Sequence, residues 1–397
     1  MNAATTRSAP SRTRRLALGV LKFAVVAALL GFVASRLPWR DRLTWSGSAG
    51  EGGVEGEIDG DWTADSVVFR VAPGDLAALP EDLRARVAAG ATLERADTLR
   101  WQPSLPRVFR QVDPAGLARA LGLLVVGVAI TATRWWRLLA AVGVRASWYS
   151  GLRLTSLGAF FSIVLPGLTG GDLVKAVLVA RENPRQRAHA VVSVLVDRLL
   201  GIGTLVVMGA AVIVVAGGEL NELRLPVLLV LGAGLGGALV YTSSALRRLV
   251  RFDALMARLP MAAALKSLDD AVLLYSRRKS VLLAAFALSL ANHATVIVAV
   301  LQLSRAFGDR RLDALDMTAV VSVSNTVSAI PIAPGGWGVG EMVYGYLYAM
   351  LGSSASLGVA VSVSYRLCTM VVGLMGGVFL LLPGARAELQ DVDVLHP

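Results

Sequence analysis

Two arginines stand where an arginine is expensive. Arg198 and Arg366 each fall about ten residues into a long apolar run, and each is followed by leucine. At ~1.5 Å per residue that depth is ~15 Å, close to the middle of a bilayer. A midplane arginine costs at least ~2.5–3.5 kcal/mol on insertion scales, so it should face inward and meet a partner. Two acids are placed to serve. Asp172 directly follows Pro166-Gly-Leu-Thr-Gly170-Gly171, and Glu341 comes shortly after Pro331-Ile-Ala-Pro334-Gly335-Gly336. Both motifs read Pro-x-x-x-Gly-Gly. Arg198 lies 27 residues after Gly171, and Arg366 lies 30 after Gly336.

Guanidinium groups bind carboxylate or phosphate through the same planar fork. One reading is therefore a pair of ion bridges that hold the broken segments down. The other is a phosphate site, helped by free backbone N–H groups at the Pro/Gly tips. The two can coexist. Asp197 adjoins Arg198 but points about 100° away from it on a helix. Lys175, three residues after Asp172, is expected to pair with that acid. The candidate substrate-binding set is Arg198, Arg366, Asp172, Glu341, Asp197 and Lys175. The candidate tips are Pro166, Gly170, Gly171, Pro331, Pro334, Gly335, Gly336 and Gly338. Asn325 is open between a cap and a substrate contact. The glycines from Gly335 to Gly340 lack the preceding strand that a nucleotide loop needs.

The elements that must position these residues are long and apolar. Of 397 residues, 55% are hydrophobic and only 17% charged. The mean hydropathy is +0.62. A soluble chain carries about 25% charged residues. Six full spans are expected, at 16–35, 117–139, 188–216, 225–243, 280–304 and 356–382. Two further stretches, 154–181 and 314–352, are interrupted by Pro and Gly. The first span follows Arg12, Arg14 and Arg15 and is longer than a signal-peptide core, so it reads as an anchor. One cysteine, Cys368, and three dispersed histidines exclude a disulfide and make a zinc site or other metal cofactor unexpected.

The net charge of +11 reads as cytoplasmic loops rather than nucleic-acid binding. Basic residues cluster before the first span, after the second at Arg134, Arg137, Arg145 and Arg153, and through 244–279. These regions, and both termini, are placed inside the plasma membrane. Trp135, Trp136 and Arg137 read as interfacial anchors. The segment 244–279 reads as an amphipathic surface helix or an ordinary solvated one. Residues 36–116 lie outside, with Glu219 and Glu222 in the next outer loop. The loop 305–313 breaks the pattern with Arg305, Arg310 and Arg311. The first interrupted stretch then enters and leaves from inside, and the second from outside. Each is a re-entrant hairpin followed by a span with a midplane arginine, and the two copies are inverted. Tips of this kind expose backbone groups that must be buried in protein or line a wet cavity.

The outer insert differs in composition. Six glycines between Gly47 and Gly60 precede the strand-like Val67-Val68-Phe69, and Pro80–Ala89 resembles a short helix. Asp113-Pro114 reads as a helix cap and first turn. A small β-rich domain is expected, with a flexible linker as the alternative.

With these residues in hand, the chain resembles the transmembrane region of the lysylphosphatidylglycerol synthase family, also described as flippase-like. The resemblance rests on Pro166, Gly170-Gly171-Asp172 with Lys175, Val194-Leu-Val-Asp197-Arg198, the run from Pro331 to Glu341, and Arg366. It covers about 117–382. Lys175 stands where the pattern leads one to expect arginine, and the long outer insert departs from a short first loop. The resemblance implies movement of aminoacylated phospholipid across a bilayer. The synthase activity itself belongs to a separate soluble domain, and only about 15 residues follow the last span here. Lipid synthesis is therefore not expected.

The fold expected is an all-α polytopic membrane protein: about six spans, two re-entrant hairpins in inverted repeat, and a β-rich extracytoplasmic insert. Its parts are 1–35 (basic arm and first span), 36–116 (insert), 117–382 (flippase-like domain) and 383–397 (cytoplasmic tail). The function expected is a lipid or glycolipid translocator, not an enzyme, that binds a phosphate headgroup between the hairpins. The substrate would be a phospholipid or lipid-linked glycan. The alternative is a membrane scaffold for a lipid-modifying or glycosyltransferase partner. A membrane enzyme using Asp172 and Glu341 as acid and base is a third reading.

Overall fold

A computed structural model describes residues 39–46, 52–94, 96, 98–164, 170–216, 221–249, 266, 269–270, 272–275, 278–329 and 338–381. The arm and expected first span at 1–35 and the tail at 383–397 lie outside the described residues. So do Pro166, Pro331, Pro334, Gly335 and Gly336.

The insert carries a five-stranded antiparallel sheet. Strands β1 (Asp41–Trp45), β2 (Gly52–Asp59), β3 (Ser66–Arg70), β4 (Thr92–Glu94) and β5 (Leu99–Gln102) lie in the order β4-β3-β2-β1-β5. Side-chain alternation builds it. In β3, Val67 and Phe69 are buried while Ser66 and Arg70 face out, as a period of two requires. Helix α1 (Glu81–Ala88) adds Leu83 and Val87, four apart on one face, to the same core. Asp41 is buried, and its carboxylate is fully employed. It accepts from the Ile58 N–H at 2.8 Å, the Ser104 N–H at 2.6 Å and Arg107 Nε at 2.8 Å. A buried charge without such donors would be prohibitive. The contacts weld β1 to β2 and to α2 (Leu105–Arg110), which leads into the helical bundle. This region is a packed unit rather than a linker.

The bundle contains α3 (Pro114–Ala141), α4 (Trp148–Val164), α5 (Gly170–Glu182), α6 (Arg187–Ala216) and α7 (Asn221–Thr242). It continues with α8 (Ser244–Leu249), α9 (Lys279–Ala306), α10 (Ala314–Ser328), α11 (Val339–Met350) and α12 (Ala355–Gly376). A 3-10 turn extends α12 to Leu381. Among the described residues, five helices are long and apolar enough to cross a membrane: α3, α6, α7, α9 and α12 with its extension. The chain is a multi-pass membrane protein. Asp113 caps α3, accepting from the N–H groups of Ala115 and Gly116 at 3.0 and 2.9 Å, with Pro114 at the first helical position. Asp313 caps α10 in the same way.

Helices α3 and α9 form the central antiparallel pair. At one end the Asp113 N–H donates to the Ala306 carbonyl at 2.8 Å. Further down, Thr131 meets Asn292 and Arg134 meets Ser289.

Around this pair, the two interrupted stretches form two antiparallel helix pairs. In α4–α5, an Arg153–Glu182 ion pair ties the feet, and Gly158 and Gly171 touch near the tip. In α10–α11, the Tyr348 hydroxyl approaches the Met317 sulfur at 3.5 Å near the feet, and Ser328 approaches Gly340 near the tip. The feet lie at opposite ends of the bundle. Those of α4–α5 sit by the C-terminus of α3, where Trp136 Nε1 donates to the Ala146 carbonyl. Those of α10–α11 sit by the sheet, where the Ser353 hydroxyl donates to Asp309 and the Ser356 hydroxyl to the Pro103 carbonyl.

The two pairs also exchange partners. Helix α4 lies antiparallel on α12, where Gly373 and Gly376 admit Ile163 and the Ser156 backbone. Helix α10 lies antiparallel on α6, with Ser322 over Gly209. Each pair thus packs against the arginine-bearing helix of the other. The absent Cβ at Gly376 would fall 2.2 Å from the Ser156 carbonyl oxygen, so only glycine permits this approach.

Three side-chain assignments made from the sequence are corrected. Arg134, read with the basic residues that end the second span, is buried inside the bundle. Trp135 is not an anchor: it is fully buried, with Nε1 donating to the Ser193 hydroxyl at 3.0 Å. Arg247, in the segment read as a surface helix, is buried in an ion pair with Asp269 at 2.6 Å.

Candidate functional site

The two copies of the motif place their charges in register. Asp172 is the third residue of α5, and Glu341 is the third residue of α11. Arg198 is the twelfth residue of α6, and Arg366 is the twelfth of α12. Each acid pairs with the arginine of its own copy. Arg198 Nη1 bonds Asp172 Oδ2, and Arg366 Nε lies 2.5 Å from Glu341 Oε1. A glycine precedes each acid because the backbone is crowded there. A Cβ on Gly171 would lie 1.9 Å from the Gly158 carbonyl oxygen, and one on Gly340 would lie 2.3 Å from Arg366 Nη2. Gly338 has φ +84°, a left-handed conformation. Its N–H donates to Glu341 Oε2 at 2.7 Å, so that carboxylate also closes the start of α11.

Lys175 does not make the expected bridge to Asp172. Its Nζ is 3.6 Å from Asp197 Oδ2 and 3.9 Å from the centre of the Trp135 ring. One helical turn turns its side chain toward α6 and α3 instead. Asp197 has a second cation, Arg134, whose Nε lies 2.7 Å from Oδ1. Arg134 Nη1 also donates to Ser289 at 2.6 Å. His293 Nε2 lies 2.9 Å from the Gly201 carbonyl. Lys175, Asp197, Arg134 and His293 line a cavity of about 340 Å³ that also reaches Arg198, Asp172, Thr155 and Ser162. Three cationic side chains and two carboxylates line it, so the excess is positive. Arg366 is not among its walls.

The cluster around Asp197 is held on four elements: α3 gives Arg134, α5 Lys175, α6 Asp197 and α9 Ser289. Arg134, Thr131, Ser289 and His293 were not among the site residues read from the sequence. Their signal was a polar face inside two apolar spans. Thr131 and Arg134 are three apart on α3, and Ser289, Asn292 and His293 share one face of α9. Asn325 lies against the Tyr365 hydroxyl.

Comparison with known proteins bears on this arrangement. The family described as lysylphosphatidylglycerol synthase TM region matches residues 101–377, which include every charged group above. The chain belongs to this family. No curated protein matches it. Membership of the lysylphosphatidylglycerol synthase TM region family marks a membrane protein related to lipid handling. The family match begins within β5, so most of the sheet lies outside it.

Proposed function

We propose that this protein carries a phosphate-bearing lipid, or a lipid-linked glycan, across the bilayer, and that the headgroup occupies the cavity beside Arg198. The observation that carries the reading is the doubled motif: two acid–arginine pairs, on helix pairs that open toward opposite ends of one bundle. In a bilayer these helix pairs are re-entrant hairpins in inverted repeat, an architecture that suits alternating access. The sheet lies on the extracytoplasmic side of the plasma membrane and both termini on the cytoplasmic side.

The charges support a specific event. Asp172 and Arg198 are both partly exposed, with side-chain exposures of 37% and 32%. A phosphate arriving in the cavity competes with Asp172 for the Arg198 fork, of which Asp172 holds Nη1, and a phosphate that engages both arms of the fork displaces it. Lys175 and Arg134 hold the positive excess while remaining tied to Asp197. Acyl chains stay in the lipid. Glu341 and Arg366 form the matching pair of the other half, closed in this conformation and open in the inverted one. No bond is made or broken, so neither acid serves as a catalyst.

Reconstitution in proteoliposomes tests this. Arg198→Ala is expected to abolish transfer of a fluorescent phospholipid between leaflets while the purified protein stays monodisperse. Transfer at the wild-type rate would falsify the reading.

The scaffold reading gains from the sheet, which lies mostly outside the family match. There the partner would be a lipid-modifying or glycosyltransferase protein. Removing residues 41–112 separates the two readings. A translocator keeps basal transfer, whereas a scaffold loses its function.

A further inference from the structure

The arginines that break the charge rule gather around one cavity. Arg305, Arg310 and Arg311 sit at the sheet end of the bundle, where the positive-inside rule would deplete them. The structure brings them against Arg100 of β5. Together they line a cavity of about 530 Å³ between the sheet and the ends of α9 and α11. That volume lies within the range of small-molecule sites.

The acids in the wall are already engaged. Asp61 accepts from the Thr63 N–H at 2.9 Å and from its hydroxyl at 2.7 Å. Asp309 is buried, accepting from the Arg311 N–H at 3.0 Å and the Ser353 hydroxyl at 2.6 Å. Arg311 spends one nitrogen on the Gly352 carbonyl at 2.9 Å. Among the described residues, no ion pair or hydrogen bond engages the guanidinium groups of Arg100, Arg305 or Arg310. Three unengaged guanidinium groups border this space, Arg100 at the edge it shares with the groove beside Arg42 and Thr44, and such a set can donate to a multiply charged oxyanion.

The depth of the cavity narrows the ligand further. Helices α3 and α9 have 28 residues each. At ~1.5 Å per residue they span ~42 Å, so both ends reach the headgroup zones that flank ~30 Å of hydrocarbon. Arg305 lies in the last turn of α9, at the level where α3 begins.

We propose that this cavity is a second anion site, built jointly by the sheet and the bundle, that takes a phosphate or diphosphate group at the extracytoplasmic membrane surface. It uses none of the residues around Arg198, so it stands or falls independently of the transport site. It also gives the sheet a role: Arg100 and the turn Asp61–Thr63 form one wall, and the bundle supplies the other.

The test uses the full chain in nanodiscs of phosphatidylcholine, titrated with inorganic pyrophosphate by calorimetry. The wild type is expected to bind, with affinity falling as salt rises. The double variant Arg305→Gln/Arg310→Gln should bind roughly tenfold more weakly, because charge-assisted hydrogen bonds are the strong ones. Arg100→Gln, on the opposite wall, should weaken binding in the same direction. Arg86→Gln, exposed elsewhere on the insert, should leave affinity unchanged. Thermal unfolding of each variant should match the wild type, since all these side chains are exposed. Nanodiscs that also contain phosphatidic acid identify the source. Competition with pyrophosphate assigns the site to a lipid headgroup, and absence of competition assigns it to a soluble anion. The proposal is overturned if the wild type does not bind pyrophosphate, or if the double variant and Arg100→Gln bind it as well as the wild type.

Discussion

The two halves of the bundle carry one motif in two environments. In the first, Asp172 and Arg198 are partly open, and a cavity with two further cations lies beside them. In the second, the Glu341 side chain is 2% exposed and that of Arg366 is 16% exposed. Gly340 presses on the guanidinium, and Tyr344 is buried on the same helix. The acid–arginine spacing therefore does not set the state of the pair. The neighbours do. Where α3 and α9 present Thr131, Arg134 and His293, the pair faces polar space. Where the neighbours are aromatic and close-packed, the same pair is sealed. An accessible first pair and a sealed second pair are what the proposed alternation of the two halves would require.

The sharpest way to break that comparison is to remove one acid at a time. Glu341→Ala takes the carboxylate away from Arg366 in a nearly closed site and strands the Gly338 N–H. Loss of one partner from a buried pair costs ~3–5 kcal/mol. The expected outcome is a large drop in thermal stability in detergent, or loss of the monodisperse species. Asp172→Ala should cost within ~1 kcal/mol, as exposed pairs do. Equal losses for the two variants would mean that the halves are equally buried in the working protein, and the asymmetry would lose its meaning.

Much of this contrast could be read before any coordinates, and the unreadable part has a physical cause. Asp172 and Glu341 were identifiable as partners because repetition made their spacing to Arg198 and Arg366 visible twice. The helices that carry the arginines begin and end close to where apolar runs predict: span 188–216 is Arg187–Ala216, and 356–382 is Ala355–Gly376 with its 3-10 extension to Leu381. Arg134 was misplaced because a buried charge near a helix end and a snorkelling one share the same sequence context, here Trp135-Trp136-Arg137. Only the partner distinguishes them, and Asp197 lies 63 residues away. Lys175 was assigned to Asp172 on local spacing, but an i+3 neighbour loses to a carboxylate that two cations can share. The gathering of Arg305, Arg310 and Arg311 with Arg100 could not be read, because Arg100 belongs to the sheet, far away along the chain.

A single methyl group sharpens the comparison at the next level of effect. Gly171→Ala drives a Cβ into the Gly158 carbonyl, which is backbone and cannot swing aside. The α4–α5 pair must part, at ~1–3 kcal/mol or more. Gly340→Ala meets the far end of the Arg366 side chain instead, which can rotate away. Its stability loss should be smaller, with the main effect on the Arg366–Glu341 contact. Melting temperatures that rank Gly340→Ala below Gly171→Ala would show that the second half is the less yielding of the two.

The smallest change in stability should come with an instructive change in binding. Asp172→Asn keeps the shape of the side chain and removes only the charge that competes for Arg198. Because the pair is partly exposed, stability should move by less than ~1 kcal/mol. If a phosphate headgroup must displace Asp172 to reach Arg198, the asparagine variant binds headgroup more tightly than wild type. It also releases it more slowly, so transfer falls while affinity rises. The equivalent substitution in the closed half, Glu341→Gln, should not tighten binding, because its arginine does not line the cavity. If Asp172 serves the substrate only through Arg198, by fixing the orientation of the fork, the asparagine variant binds more weakly instead. Equilibrium binding of a short-chain phospholipid, measured beside transfer in the same two variants, decides between displacement and support.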